Sequence, residues 1–354
     1  MSINTINLKI GSSFIGREFP CYLIAEIGVN HGGDMELCRR MILEAKAAGA
    51  NAVKFQTFTA ETLVSPHTEK VRYQIATTDP SESHFDMIKS LEFSKDDHRH
   101  IFQFCKSQDI EFISTPYDPD SVDFLEELGV SVYKTASADL VDFILHERIL
   151  KTRKPVIIAT GMAKLGEIEE LIELYRKHEA LDRVVLMHCV SNYPCSDESL
   201  NLNSMKTLSA AFGLPIGYSD HSIGSLASSL SIVLGACIVE KHFTTDKSLK
   251  GPDHKASSTP EEFKALVQDI RRTEIMLGES RKYIREEERQ MAGVSRKSLF
   301  SKRKISSGEI VQLEDFKMKR PGGGFQSSRI YQLIGKTAAC DIEIDTMISD
   351  NMFK

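Results

Sequence analysis

What this 354-residue chain lacks closes off several classes of protein before any motif is read. No apolar run approaches the ~20 residues that a bilayer-spanning helix needs. The opening MSINTINLKI has neither the charged start nor the apolar core of a secretion signal, so no membrane partner and a cytoplasmic location are expected. Low-complexity tracts are absent, and 41% hydrophobic with 27% charged residues is the composition of an ordinary folded protein, which removes disorder as an explanation. The seven cysteines are odd in number, scattered and never in a CxxC pair. A disulfide framework is therefore not in prospect, and most thiols should be reduced and packed. No GxGxxG follows the first candidate strand, which argues against a doubly wound dinucleotide-binding sheet.

What is present is a regular alternation. Short apolar, β-branched runs (CYLIAEIGV, NAVKFQTF, EFISTP, SVYKTAS, PVIIATG, RVVLMHC, PIGYSD and CIVEKHFT) alternate with amphipathic patterns such as MELCRRMILEAKAAG and SVDFLEELG. This is the pattern of parallel strands joined by crossover helices, and eight such units close a (β/α)8 TIM barrel. The stretch from about residue 58 to 93 is long for a strand-to-helix connection and is expected to cover the barrel mouth. After the charged IREEERQ the pattern changes to short strands and turns. That change predicts a barrel over 1–290 and a small, mostly β module over 291–354. Residues 294–354 carry 11 Lys and Arg against 7 Asp and Glu, whereas the rest carries 33 against 43, so a basic module sits beside an acidic body. Its run SRKSLFSKRKI lacks an RNA-binding motif or aromatic interleaving. A solvated face, or one docking an acidic surface, is expected rather than a nucleic-acid site.

A barrel's active site forms at the C-terminal ends of its strands. Those ends are polar here: Glu26 and Asn30, Lys54 and Gln56, Thr115, Lys134 with Ser137 and Asp139, Thr160, His188 with Ser191 and Tyr193, Ser219 with Asp220 and His221, and Lys241 with His242. An unpaired buried ammonium costs several kcal/mol, so lysines inside strands point to an anionic ligand. Lys54 and Lys134, with Thr115, Ser137 and Ser219 as hydroxyl donors, suit a phosphate joined to a carboxylate. The alternative is that each lysine pairs with a core carboxylate, Glu26 being the obvious one. His221 and His242 end adjacent strands and could share one divalent cation, leaving positions open for a Lewis-acid role. No structural zinc spacing and no carboxylate triad accompany them, and a lone strand-end histidine such as His188 is more often a satisfied core residue.

The same strand ends, AEIGVNHGG, VKFQTF, STPYD, YKTASAD, ATGM, HCVSNYP, GYSDHS, EKHFT and GPDHKAS, stand in the order found in the sialic acid synthase family. The resemblance covers essentially the whole chain. SRKSLFSKRKISSGEIVQLEDFKMKRPGGG is similar to that family's antifreeze-like SAF domain. The resemblance implies condensation of phosphoenolpyruvate with an acetamido sugar to give a nine-carbon 2-keto acid. It implies that Lys54, Thr115, Lys134, Ser137 and Ser219 hold phosphoenolpyruvate with Tyr193 close by, and that His221 and His242 bind Mn2+, with Mg2+ or Co2+ as substitutes. Gln56, Asp139, Tyr193 and Asp253 would face the sugar, and Glu26 would act as acid or base. A homodimer is implied in which the SAF domain of one protomer caps the partner's barrel and brings Arg320 to its sugar.

Two departures bear on the sugar. KTASAD, with Asp139 where N-acetylneuraminate synthases generally carry glutamate, resembles the legionaminic branch, which implies 2,4-diacetamido-2,4,6-trideoxymannose as acceptor with N-acetylmannosamine as the alternative. Ala159 stands where many relatives have serine, removing one possible phosphate donor. Outside this reading lie a synthase for a phosphorylated sugar, which would need a second cationic site, and a non-catalytic carbohydrate-binding protein.

Overall fold

The computed structural model describes residues 8–79 and 81–354. It divides into two compact units, the first closing at Gly278 and the second spanning Glu279–Lys354. The charged helix Glu286–Ser295 belongs with the second unit, so the division falls ahead of the position that the change of sequence pattern suggests.

The first unit opens with an antiparallel hairpin, β1 (Leu8–Ile10) and β2 (Ser13–Ile15). Eight parallel strands follow: β3 (Tyr22–Gly28), β4 (Ala52–Thr57), β5 (Glu111–Pro116), β6 (Tyr133–Thr135), β7 (Val156–Ala159), β8 (Val184–Cys189), β9 (Ile216–Asp220) and β10 (Ala236–His242). They pair in the order β5-β4-β3-β10-β9-β8-β7-β6, and β5 also runs alongside β6, so the sheet closes on itself. All eight expected strands are present, and the chain is a TIM barrel.

Strand side chains alternate between the two faces of the wall. The outward set, including Leu23, Val53, Phe112, Ile158, Leu186 and Val239, packs against the surrounding helices in one large core. The inward set changes character along the barrel axis. Tyr22, Ile24, Ala52, Ile113, Val132, Ile157, Val185, Met187 and Ile238 form a hydrocarbon layer near the strand starts, and Leu8, Ile10 and Ile15 of the hairpin join that layer as a plug. Above it, nearer the strand ends, the inward positions hold charged and polar groups.

The crossover helices carry their stop signals in sequence. Met35–Ala48 begins at Asp34, whose carboxylate accepts from the Glu36 and Leu37 N–H groups, and ends at Gly49 with φ +101°, a left-handed position that glycine fills without strain. Helix Leu226–Val233 inverts the usual polarity. It buries Ser228 and Ser231 and turns Leu226, Leu230 and Val233 outward at 69%, 45% and 55% exposure. The long connection after β4 folds into short helices at Ala60–Leu63, Arg72–Thr77 and His84–Ser90. No helix among the described residues is long and apolar enough to cross a membrane. All seven cysteines are free, six of them buried.

The second unit has its own core of Leu299, Ile305, Val311, Phe316, Phe325, Leu333, Ala338, Ile342, Ile348 and Phe353. Strand β11 (Ser298–Ser301) pairs antiparallel with β12 (Phe316–Lys319). Cations of its basic run are engaged locally: Arg303 reaches Asp315 at 2.7 Å and Glu309 at 2.6 Å, and Lys304 reaches Glu343 at 2.6 Å.

Candidate active site

A cavity of about 790 Å3 opens at the C-terminal end of the barrel. Its floor is an alternation of buried opposite charges. Lys54 Nζ lies 2.8 Å from Glu26 Oε2 and 3.7 Å from Glu240 Oε1, and it donates to Thr115 Oγ1 at 3.3 Å. Lys134 Nζ lies 3.4 Å from the same Glu240 oxygen, to which Ser219 Oγ also donates at 3.2 Å. Gln56 Nε2 donates to Glu26 Oε1 at 3.3 Å. Burial penalises every one of these charges, so their mutual arrangement decides their state. For Lys54, burial works against the ammonium, but Glu240 and Glu26 outweigh it and raise its pKa. For Glu240, burial is likewise overridden, by Lys134 and then Lys54, and its pKa falls to about 2. Glu26 goes the other way: burial dominates Lys54 and pushes it up to about 7, where it can exchange a proton near neutral pH.

On one side of this floor, the Gly161 N–H donates to Ser137 Oγ at 3.0 Å, and Cys189 Sγ also lies 3.0 Å from that hydroxyl. A β-carbon at Gly161 would sit 2.5 Å from Ser191 Oγ and 2.7 Å from Ser137 Oγ, so only glycine fits between the two hydroxyls. On the other side stand His221 and His242, their ring centroids 5.6 Å apart, with the Tyr193 ring 4.2 Å from the first and 5.5 Å from the second. Burial lowers both imidazoles, His221 to about 4 and His242 well below its ordinary value, so both are neutral. His221 Nδ1 donates to the Val190 carbonyl at 2.7 Å, which leaves Nε2 with a lone pair. His242 Nδ1 is buried with no hydrogen-bond partner, and its nearest carboxylate, Asp253 Oδ2, is 4.0 Å away. Two neutral imidazoles, one with an orphaned ring nitrogen, fit the donor set of a divalent cation. Among the described residues no cluster of three or more His, Cys, Asp or Glu joins them, so such a site would be open rather than closed.

Of the residues singled out in the sequence, Glu26, Lys54, Gln56, Thr115, Lys134, Ser137, Tyr193, Ser219, His221, His242 and Asp253 all line this one cavity. Burial raises Asp253 to about 6. Lys54 and Lys134 both face inward and both have carboxylate partners, Lys54 with Glu26 and Glu240 and Lys134 with Glu240. Several expectations are corrected. Asp139 does not line the cavity: the chain coils into a 3-10 turn over Ser137–Val141 that gives the cavity Ser137 and Ala138 only. Lys241 and Asp220 point to the outer side of the wall and pair with each other at 2.9 Å, so Lys241 awaits no anion. His188 is the satisfied core residue that the sequence allowed, bonded through Nε2 to the Leu200 carbonyl at 2.9 Å. Asn30 spans to the Phe243 carbonyl and Ser257, and Thr160 Oγ1 donates to the Met187 carbonyl. Arg320 lies in the second unit, where the sequence put it, and is exposed there.

Glu240 escaped the sequence reading. Its signal was there in VEKH, where the residue two before an inward histidine must also face inward. Also missed was the apolar wall. The connection after β4 does reach the mouth, and it contributes Leu63, Val71, Met87, Ile88 and Leu91 to the cavity.

Barrel and site define an enzyme with its reactive groups at the barrel mouth and a C-terminal SAF domain. The chain belongs to the NeuB family, which it matches over residues 41–282, and residues 296–354 match the SAF domain. It is 41% identical to the N,N'-diacetyllegionaminic acid synthase of Legionella pneumophila over 94% of each chain. It is 31% identical to the human N-acetylneuraminate-9-phosphate synthase over 96% of this chain and 94% of that one. The crystal structure of the N-acetylneuraminic acid synthetase of Leptospira borgpetersenii superposes with a TM-score of 0.73 at 33% identity, covering 81% of this chain and 95% of the other.

Proposed function

We propose that this enzyme condenses phosphoenolpyruvate with 2,4-diacetamido-2,4,6-trideoxymannose, giving a nine-carbon legionaminic-type 2-keto acid and phosphate. The observation that carries the reading is the polarity gradient of the cavity, a charged floor under a hydrocarbon rim. Lys54 and Lys134, with Thr115, Ser137 and Ser219, suit the phosphate and carboxylate of phosphoenolpyruvate. The wall of Leu63, Val71, Met87, Ile88 and Leu91 suits a sugar bearing a C6 methyl and a second acetamido group. Among the described residues, the Lys and Arg side chains lining the cavity are Lys54 and Lys134. The 41% identical legionaminic acid synthase supports the same sugar.

In the reaction, the enol C3 of phosphoenolpyruvate forms a bond to the open-chain aldehyde carbon, whose oxygen takes up a proton. Water adds at C2 and loses a proton, and the C2–O bond to phosphate then breaks as the C2 hydroxyl gives its proton to the leaving phosphate, which leaves the ketone. Lys54 and Lys134 offset the substrate's negative charge and hold C3 toward the aldehyde. Glu26, with its pKa near 7, gives or takes the proton and would contribute roughly 10²- to 10⁴-fold. Gln56, Tyr193 and Asp253 orient the sugar. His221 and His242 would hold a divalent cation, taken to be Mn2+, which when bound polarises the aldehyde. The reading extends to a homodimer in which Arg320 of one protomer meets the sugar in its partner's barrel, a pairing supported by the basic second unit and acidic body.

Phosphate release from phosphoenolpyruvate, with and without Mn2+, tests this directly. The diacetamido sugar should outperform N-acetylmannosamine in kcat/KM, chelation should abolish release, and Arg320→Ala should raise the sugar KM alone. Preference for N-acetylmannosamine would overturn the sugar, and no release with either would overturn the reaction.

A further inference from the structure

The barrel wall carries a buried ion pair that the chemistry above does not use. Asp220 ends β9 and Lys241 is the penultimate residue of β10; they face each other across the ladder, both directed away from the cavity. Their immediate neighbours in sequence, His221 and His242, face inward. Asp220 gathers five donors. Lys241 Nζ at 2.9 Å and Ser228 Oγ at 2.6 Å reach Oδ2, while Ser222 N at 2.8 Å, Ser222 Oγ at 2.6 Å and Tyr218 OH at 3.4 Å reach Oδ1. The Lys241 ammonium also donates to the Ser222 carbonyl at 2.7 Å. Ser222, the residue that follows His221, is thus held at its N–H, hydroxyl and carbonyl by this one pair. On its other flank the His221 carbonyl accepts from the Cys195 N–H at 2.8 Å.

A buried ion pair is a poor way to stabilise a barrel wall, because hydrocarbon of similar volume does as well or better. The cost here extends to the covering helix, which turns Ser228 inward to serve the pair, buries Ser231 with its hydroxyl on the Ser228 carbonyl, and leaves Leu226, Leu230 and Val233 facing out. What the pair supplies and hydrocarbon cannot is direction: it ties the ends of two adjacent strands and the turn between His221 and the helix into one bonded unit.

We propose that Asp220 and Lys241 are positioning residues that fix His221 and His242 in the relative placement needed to bind a divalent cation. This rests on the cation reading of the two histidines, and the test separates the two ideas. Mn2+ binding to the full chain is measured from the loss of the free-ion electron paramagnetic resonance signal, alongside thermal unfolding. His221→Ala and His242→Ala should abolish binding. The double variant Asp220→Leu with Lys241→Met, which leaves no unpaired charge, should unfold at or near the wild-type temperature yet bind Mn2+ about 10- to 100-fold more weakly, the range typical of lost outer partners. Ser222→Ala, which keeps the pair and removes one bond, should fold and weaken binding by a smaller factor. Should the double variant fail to fold, Ser222→Ala decides. Loss of binding in the histidine variants with wild-type affinity in the folded outer-wall variants would overturn the positioning role alone. Wild-type affinity in His221→Ala and His242→Ala would overturn both.

Discussion

Glu26 and Glu240 share Lys54 at the floor of one cavity, and the same functional group is shifted in opposite directions. Glu240 lies within reach of two ammoniums and is held ionised, whereas Glu26 has one close ammonium and is pushed up to about 7 by burial. Neighbour count, rather than residue type, separates the carboxylate that balances charge from the one that can carry a proton. Asp139 shows the same physics outside the cavity. Burial, with Asp142 adding to it, raises this carboxyl from 3.8 to about 7. The folded protein therefore holds the proton more tightly than the unfolded chain, and stability falls as pH rises between about 4 and 7. Asp139→Asn should remove that slope. Allowing for the partial exposure of the group, the variant should gain on the order of 2 kcal/mol relative to wild type between pH 5 and pH 8, read from urea midpoints. Parallel pH profiles for the two proteins would show that the carboxyl ionises in the fold as it does in the unfolded chain.

At the scale of elements, the barrel was legible because each strand is a short β-branched run bounded by turn residues and followed by a helical period. Period-two alternation also carried more than was taken from it. On β10, Ile238, Glu240 and His242 share the inner face, and Val239 and Lys241 the outer. The same parity applied to β8 and β9 places His188 and Asp220 outside, so their exclusion from the cavity was readable. The pairing of Lys134 with Glu240 was not, because it depends on stagger between strands distant in sequence. Nor was the apolar wall, whose residues are spread over short helices with no period long enough to recognise. The hairpin is a further case: Leu8, Ile10 and Ile15 look like any short apolar segment until the fold places them against the hydrocarbon layer. Ile10, 1% exposed there, makes a clean test. Ile10→Ala should cost about 2 to 5 kcal/mol of the barrel's unfolding free energy in urea, the range for emptying a packed site. A cost near zero would mean that the hairpin is not part of the core.

On the scale of the molecule, the chain keeps two accounts of buried hydrocarbon, one in the barrel and one around Leu299, Phe316 and Phe353. Its chemistry is confined to one end of the first. The hairpin plug gives that confinement a kinetic meaning, because it turns the barrel into a vessel with a floor. A ligand bound at Lys54 and Lys134 must come in through the mouth, past the wall of Leu63, Met87 and Leu91 where the sugar is proposed to rest. On the proposed placement the two substrates would queue: phosphoenolpyruvate would have to arrive first, and a sugar that arrives first would bar its way. At low phosphoenolpyruvate, raising the sugar concentration should slow the enzyme, and raising phosphoenolpyruvate should relieve the inhibition. A rate that climbs hyperbolically with sugar at every phosphoenolpyruvate concentration would mean that the queue does not exist.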